Sequence, residues 1–416
     1  MVGAGAAGLA AAHYLGRRGY RDVTVLEAGG RVGGKCRSIE HGGQRYDMGA
    51  VLIGPGYRHV TELARRFGVA CSPAPDLRLV DLARRTMRPL SLPRRRDPRT
   101  YPAALRFARL LGEHARLCEP GFGALADELC RPISELFERH ELGPLRDALI
   151  GHFTGYGYGY AEDVPAAYLF KLVFQAGPRS ARDALGWLSV LADRGTLVVE
   201  GGTQALVEAI AAGLDVRLRQ RVERVQRAED GVTVTAGARE ERFDALILAV
   251  DPREILALLD ATGEERALFE RVRTVDYHVF LVRLEDPRRR CVQFLRDSLP
   301  KSARGRPLVV AHTRAENELC QVYVQGDGTS ELGSMERNIA EDAAALGCPL
   351  VEIVAHERWD YFPHLAPDSI AAFYREIEAR QGRGRTFFVG EVMNFSTLEG
   401  VVAHSRDVVD RFFRVQ

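Results

Sequence analysis

Gly3, Gly5 and Gly8 stand at G-x-G-x-x-G spacing in the opening run Val2-Gly-Ala-Gly-Ala-Ala-Gly-Leu9. Glycines so placed let a chain turn tightly, approach a pyrophosphate through bare backbone and seat the following helix close to a sheet. A carboxylate follows: Glu27 lies about 20 residues past the third glycine, where a ribose hydroxyl is bound in such units. The implied chemistry is dinucleotide binding, with Gly3, Gly5, Ala6, Ala7 and Gly8 at the phosphates and Glu27 at the ribose. Three elements must position these groups. Val2 closes a first apolar strand, and Ala10 to Leu15 continue a helix whose N–H groups and positive dipole end face the phosphates. Val23 to Leu26 form a second apolar strand that delivers Glu27.

The residues beyond Glu27 favour FAD over NAD. Ala28-Gly-Gly-Arg31-Val-Gly33-Gly34-Lys35 keeps backbone free of side chains where a long cofactor passes, and Arg31 is suited to bidentate pairing with a phosphate. Tyr46-Asp-Met48-Gly49-Ala50 follows. Far away, Thr386-Phe-Phe-Val-Gly390-Glu391 reads as a buried strand ending in a glycine and an acid, and Gly400 and Val401 open a new helical pattern. An extended cofactor needs contacts from separated parts of the chain.

With these motifs in hand, the chain resembles the flavin-containing amine oxidoreductase superfamily, which also holds phytoene desaturases and protoporphyrinogen oxidases. Gly201-Gly202 before a helix, Arg221-Val222-Glu-Arg-Val225 and Phe243 to Ala249 extend the resemblance. It implies non-covalent FAD, with the adenine held by the backbone of Val222 and Glu391 beside the ribityl and pyrophosphate. Gly49, Ala50, Gly400 and Val401 would lie near the isoalloxazine, where the helix after Gly400 aims its N-terminus at the N1–C2=O edge. A narrower resemblance is to bacterial FAD-dependent polyunsaturated fatty acid double-bond isomerases. It rests on Gly33-Gly-Lys-Cys36, Gly155-Tyr-Gly-Tyr-Gly-Tyr160, Asp163 to Tyr168, Trp359 to His364 and Gly390-Glu-Val-Met393.

The 416 residues suffice for two domains with full cores, and 46% hydrophobic with 27% charged residues is ordinary for a globular chain. A net charge of +1 offers no global field for nucleic acid. Seven scattered cysteines fit no zinc spacing and, with no signal peptide in view, predict reduced thiols and a cytoplasmic location. The fold class expected is α/β: a Rossmann-like FAD-binding domain interleaved with an α+β substrate domain, as in amine oxidases. Residues 1–70, 196–255 and 385–416 are assigned to the first, and 71–195 and 256–384 to the second. Helical spacing in Leu105 to Leu111 predicts a mostly helical stretch from Ala103 to about Trp187. Strands are expected at Val275 to Leu284, Pro307 to His312 and Gln321 to Gln325. Only Met1 and Val2 precede Gly3, so the central strand of the sheet is expected to be short of ladder hydrogen bonds, and the functional protein to begin upstream. Oligomeric state is left open.

A flavin accepts hydride at N5, so the remaining task is to place a C–H bond there and manage the cation formed. No second G-x-G-x-x-G follows a strand, so electrons are expected from the substrate, passing on to oxygen, to another acceptor or back to the same molecule. The last course is isomerisation. It needs no protein acid or base, only unreactive aromatic faces. Tyr156, Tyr158 and Phe395 are the candidates, within a segment that also holds Phe153, Tyr160 and Tyr168, with Tyr361 and Phe362 added later in the chain. Arg78, backed by Arg84, Arg85 and Arg88, is the candidate anchor for a substrate carboxylate. His364 is a substrate-side polar candidate. Cys36 sits where an arginine or a helix end lowers a thiol pKa, and Lys171 could stand near N5. The stretch Arg94 to Leu111 is suited to peripheral contact with a membrane surface. The function expected is hydride abstraction from an apolar small molecule, leading to double-bond isomerisation of an unsaturated fatty acid or similar lipid. An amine oxidase or a desaturase or dehydrogenase of a secondary metabolite is the rival, and a non-catalytic FAD-binding protein a third reading.

Overall fold

The computed structural model describes residues 1–90, 97–177, 195–285, 291–314 and 317–415. Arg94, Arg95 and Arg96, and the part of the expected helical stretch beyond residue 177, lie outside the described residues.

The glycine motif opens the helix Ala6–Arg17, whose Ala-rich face is almost wholly buried. Gly3 takes φ +99°, a left-handed conformation that disfavours a side chain, and a Cβ on Gly8 would come within 2.0 Å of the Gly3 carbonyl oxygen. Turn and close packing thus account for two of the three glycines. The helix lies on a parallel sheet in which Thr24–Leu26 pairs with Asp215–Arg217, and Leu246–Leu248 with Thr386–Phe388. Val2 bridges the two pairs. Its N–H donates to Ile247 O (3.0 Å), its carbonyl accepts from Ala249 N (2.9 Å), and Gly3 N donates to Leu26 O (2.9 Å). The central strand is as short as the sequence indicates, yet both neighbours keep their hydrogen bonds to it, because they are themselves three-residue strands.

A small antiparallel sheet, Arg224–Ala228, Gly231–Ala236 and Arg239–Phe243, hangs from the same region. The other large element is a seven-stranded sheet. In spatial order it runs Leu350–His364, Arg273–Leu284, Cys320–Gln325, Pro307–Ala311, Val292–Leu295, Leu77–Asp81 and Thr86–Pro89. All its pairings are antiparallel except that of Val292–Leu295 with Leu77–Asp81. Side chains alternate across a strand. Phe280, Val282, Val310, Val322 and Val324 therefore form one apolar cluster with Met335, Ile339 and Ala343 of the helix Leu332–Ala345. Their sequence neighbours Tyr277, Val279, Val309 and Tyr323 face the opposite side, toward a cavity closed by the helices Arg146–Gly155 and Ala166–Ala176.

Candidate active site

One cavity of about 520 Å³ runs from the glycine motif to the concave face of the large sheet. Its first end is lined by Gly3, Gly5, Ala6, Ala7, Glu27, Gly33, Gly34 and Lys35, joined from the far end of the chain by Gly390 and Glu391. No side chain caps the N-terminus of the helix Ala6–Arg17, so its first N–H groups are left to a ligand. The Glu27 carboxylate is held in place by Ala4 N (2.8 Å) and Gly29 N (2.7 Å). Lys35 Nζ reaches both oxygens of Glu391 at 2.8 and 2.9 Å, tying the second glycine run to the turn after the last strand. A Cβ added to Gly5 or Gly390 would meet no atom within 4 Å; here bare backbone faces open cavity. A phosphate-facing helix end, an oriented carboxylate and two bare-backbone walls fit a dinucleotide.

Other expected cofactor residues support this end from behind. Arg31 donates to the carbonyls of Val32 (3.1 Å) and Gly34 (2.9 Å), and so braces the glycine loop. Met48 is buried, and its carbonyl accepts from Trp359 Nε1 at 2.6 Å. Gly49 and Ala50 line the cavity, Ala28 is exposed, and Val222 is buried in the main core. Thr397 Oγ caps the helix Leu398–Phe412 by accepting from Gly400 N (2.9 Å), and Val401 lines the cavity beside it. Val250, Asp251, Arg253 and Glu254 also line this end. They escaped the motif reading, although an Asp-Pro pair directly after a buried strand marks the carboxyl edge where such sheets bind ligands.

The second end is built differently. Leu77, Leu149, Leu172, Val173, Val279 and Val309 line it, with His152, Tyr156, Tyr277 and Tyr323. Tyrosine rings stack in series: Tyr158 on Tyr361 (5.7 Å between centroids), Tyr361 on Tyr277 (5.2 Å) and Tyr277 on Tyr323 (6.0 Å). Phe395 packs on Tyr158 at 4.6 Å. Burial pushes the phenols of Tyr158, Tyr277 and Tyr361 well above the usual range, so they stay neutral. The glycines between the tyrosines have a packing cause. Gly157 has φ +84°, and a Cβ there would lie 2.6 Å from the Tyr277 ring.

Several sequence candidates sit elsewhere. Leu77 lines the cavity, so its strand neighbour Arg78 projects from the opposite face, where it pairs with Asp76. Arg84 and Arg88 are paired with Asp81 and Asp147. Lys171 donates to Glu119 O (2.7 Å) and lies over the Phe122 ring, away from the cavity lining. His364 is buried against Phe362, with Nδ1 2.8 Å from the Phe362 carbonyl oxygen. Cys36 requires a correction: burial, reinforced by the Asp47 and Glu391 charges, pushes its thiol up to about 12, overriding Arg31. Among the described residues no group of ligands could hold a metal ion, and no helix is long and apolar enough to cross a membrane.

Comparison with known proteins agrees with this geometry. The crystal structure of a fatty acid isomerase from P. acnes, described as producing CLA, superposes with a TM-score of 0.90 at 27% identity, covering 99% of this chain and 97% of that one. A putrescine oxidase bound to putrescine superposes with a TM-score of 0.74 at 18% identity over 99% and 98% of the two chains, a likeness of fold alone. A protein of Mycobacterium tuberculosis designated a flavin-containing monoamine oxidase is 30% identical over 284 residues, 62% of this chain and 58% of that relative's length. The family model described as flavin containing amine oxidoreductase matches residues 6–280. The chain belongs to the flavin-containing amine oxidoreductase family and is an FAD-dependent enzyme.

Proposed function

We propose that this enzyme moves a double bond along an unsaturated fatty acid or similar lipid, by taking hydride from one carbon of the chain and returning it to another. One observation carries the reading. The cavity wall supplied by the helices Arg146–Gly155 and Ala166–Ala176 and by strands Leu77–Asp81, Val292–Leu295 and Pro307–Ala311 contributes no carboxylate and no lysine or arginine. A charged ammonium would lose its hydration against this wall without gaining a counter-charge from it, whereas a hydrocarbon chain is received there at about 25 cal/mol per Å² buried. The likeness to the P. acnes isomerase supports the same choice.

Residues 1–70, 196–255 and 385–416 would form the cofactor unit, and 71–195 and 256–384 the substrate unit. Glu27 would hold the adenosine ribose, the start of the helix Ala6–Arg17 the pyrophosphate, and the backbone of Val222 the adenine. Glu391 would serve the ribityl region, and Gly49, Ala50, Gly400 and Val401 would surround the ring. FAD, when bound, supplies a hydride acceptor at N5. The stacked rings of Tyr158, Tyr361 and Tyr277 would surround a substrate cation with neutral, unreactive aromatic groups, the outer face of Tyr158 contributing about 0.5–2 kcal/mol. The aliphatic wall keeps out water that would trap that cation.

The test is to mix FAD-loaded protein with linoleate and follow conjugated-diene absorbance and oxygen uptake. Diene formation without oxygen uptake is the expected result. Anaerobic bleaching of the flavin by an amine, with peroxide formed on adding air, would establish the oxidase instead.

A further inference from the structure

A fatty acid brings a carboxylate into this cavity, and the lining offers it little. Two cationic side chains, Lys35 and Arg253, are found among the described lining residues. Lys35 is held by Glu391, and Arg253 by Asp251 and Asp360. Both belong to the end that carries the glycine motif. Arg78 lies on the far face of its strand, as shown above. A buried carboxylate with neither a cation nor a proton is prohibitively costly. Among the described residues, the remaining source of positive charge is a proton.

His152 is the only histidine among the described lining residues. It projects from the helix Arg146–Gly155 at the apolar end, and its side chain is buried. Nδ1 lies 2.6 Å from the carbonyl oxygen of Ala148, one turn back. A carbonyl only accepts, so Nδ1 carries the hydrogen, and the tautomer is set. Nε2, across the ring, makes no hydrogen bond with any described residue. It is left as a lone pair for whatever fills the cavity.

The surroundings add no charge. On its own helix, Tyr156 meets the imidazole edge-on at 5.8 Å, and Asp147 is engaged by Arg88 and Arg296. From the sheet, the apolar ring of Phe294 lies 6.1 Å away, and Val309 lines the same cavity. From the helix Ala166–Ala176, Leu169, Leu172 and Val173 face the cavity, while Lys171 is turned to Glu119 O. Burial lowers the pKa of His152, against the opposing effect of the Ala148 hydrogen bond, so the imidazole is neutral at pH 7.

We propose that His152 Nε2 receives the substrate carboxyl group, and that binding takes up one proton from solvent, shared between Nε2 and a carboxyl oxygen. The inference rests on the fatty-acid reading of this same cavity and supplies its polar anchor. The balance is simple: neutral imidazole and carboxylate enter, one proton joins them, and no bond in the substrate changes. Ionised fatty acid in solution and neutral His152 in the protein are both the deprotonated forms, so affinity falls as pH rises, by at most about tenfold per unit. A fatty alcohol donates its own hydroxyl to Nε2 and needs no proton.

Calorimetric titration of the holoenzyme with linoleate, in buffers of different ionisation enthalpy, measures the proton count directly. Linoleyl alcohol serves as the uncharged control. We expect uptake approaching one proton for linoleate in the wild type and none for the alcohol. H152Q should keep the fold and its FAD, bind linoleate more weakly by at least tenfold, and lose both the proton uptake and the pH slope. H152F should lose linoleate binding further while binding a hydrocarbon such as heptadecadiene at least as well. Linoleate binding without proton uptake, or with an uptake that H152Q retains, overturns this assignment alone and leaves the isomerase reading standing. Failure of linoleate to bind the wild type overturns both.

Discussion

The two ends of the cavity answer to different physics. The glycine-motif end is made of backbone: bare Gly5 and Gly390, a helix start without a side-chain cap, and carboxylates steered by N–H groups or a lysine. The sheet end is made of side chains, with stacked tyrosines and branched aliphatics closing on the buried imidazole of His152. Backbone recognition serves a cofactor common to many enzymes, because every residue carries the same N–H. Side-chain recognition serves a substrate particular to one. If the first end holds the cofactor, specificity must be sought in the second.

The contrast can be broken most violently at the first end. Gly8→Ala drives a Cβ to 2.0 Å from the Gly3 carbonyl, and we expect loss of folded protein on expression. Gly5→Leu meets no protein atom at its Cβ, so the apoprotein should unfold within a few degrees of the wild type while losing FAD, read as the ratio of protein to flavin absorbance. If G5L keeps its flavin, the cradle is misplaced. Glu27→Gln removes a charged acceptor, worth about 1.5–3 kcal/mol, and should weaken FAD about ten- to a hundredfold in a fluorescence titration.

At the second end the effects should spare the cofactor. Tyr158→Leu removes one cation-stabilising face; we expect kcat to fall about ten- to thirtyfold, on an interaction of up to ~2 kcal/mol, with flavin content unchanged. Loss of flavin in this variant would blur the division. Arg78→Ala should leave KM for linoleate within twofold, because its guanidinium pairs with Asp76 on the opposite face of the strand.

Protonation joins the two ends. Burial lowers His404 to about 3 and His13 to about 4 near the glycine-motif helix, and lowers His152 and His364 toward the sheet. Each folded value lies below the unfolded one, so the unfolded chain binds more protons as pH drops below about 6.5, and stability falls with it. Melting temperature should be level above pH 7 and decline toward pH 5. His404→Asn should flatten that decline more than substitutions at exposed histidines. A profile flat from pH 7 to 5 would show that these imidazoles are not sealed from water.

How much was legible follows from distance along the chain. Gly3 to Glu27 form a local unit, and their spacing maps directly onto a turn, a helix start and a strand end. Strands expected at 275–284, 307–312 and 321–325 are found at 273–284, 307–311 and 320–325. At Arg78 a sequence shows a guanidinium without showing the face of the strand it leaves from; in the fold it pairs with Asp76. Cys36 misled because the neighbouring arginine was visible and the burial was not. His152 attracted no notice: a lone histidine in an apolar helix has no spacing partner.

Sequence alone determined the dinucleotide unit, since turns, helix starts and bare backbone are properties of contiguous residues. It also determined the family, through motifs spread from Gly3 to Gly400. The tertiary structure decided the rest. Leu77, Leu149, Val173, Val279 and Val309 meet only because strand alternation and sheet order bring them to one concave face. The imidazole of His152 became a candidate anchor only when folding paired or turned away the other described cations around the cavity. Burial and charge compensation are sums over neighbours, and neighbours are assigned by the fold.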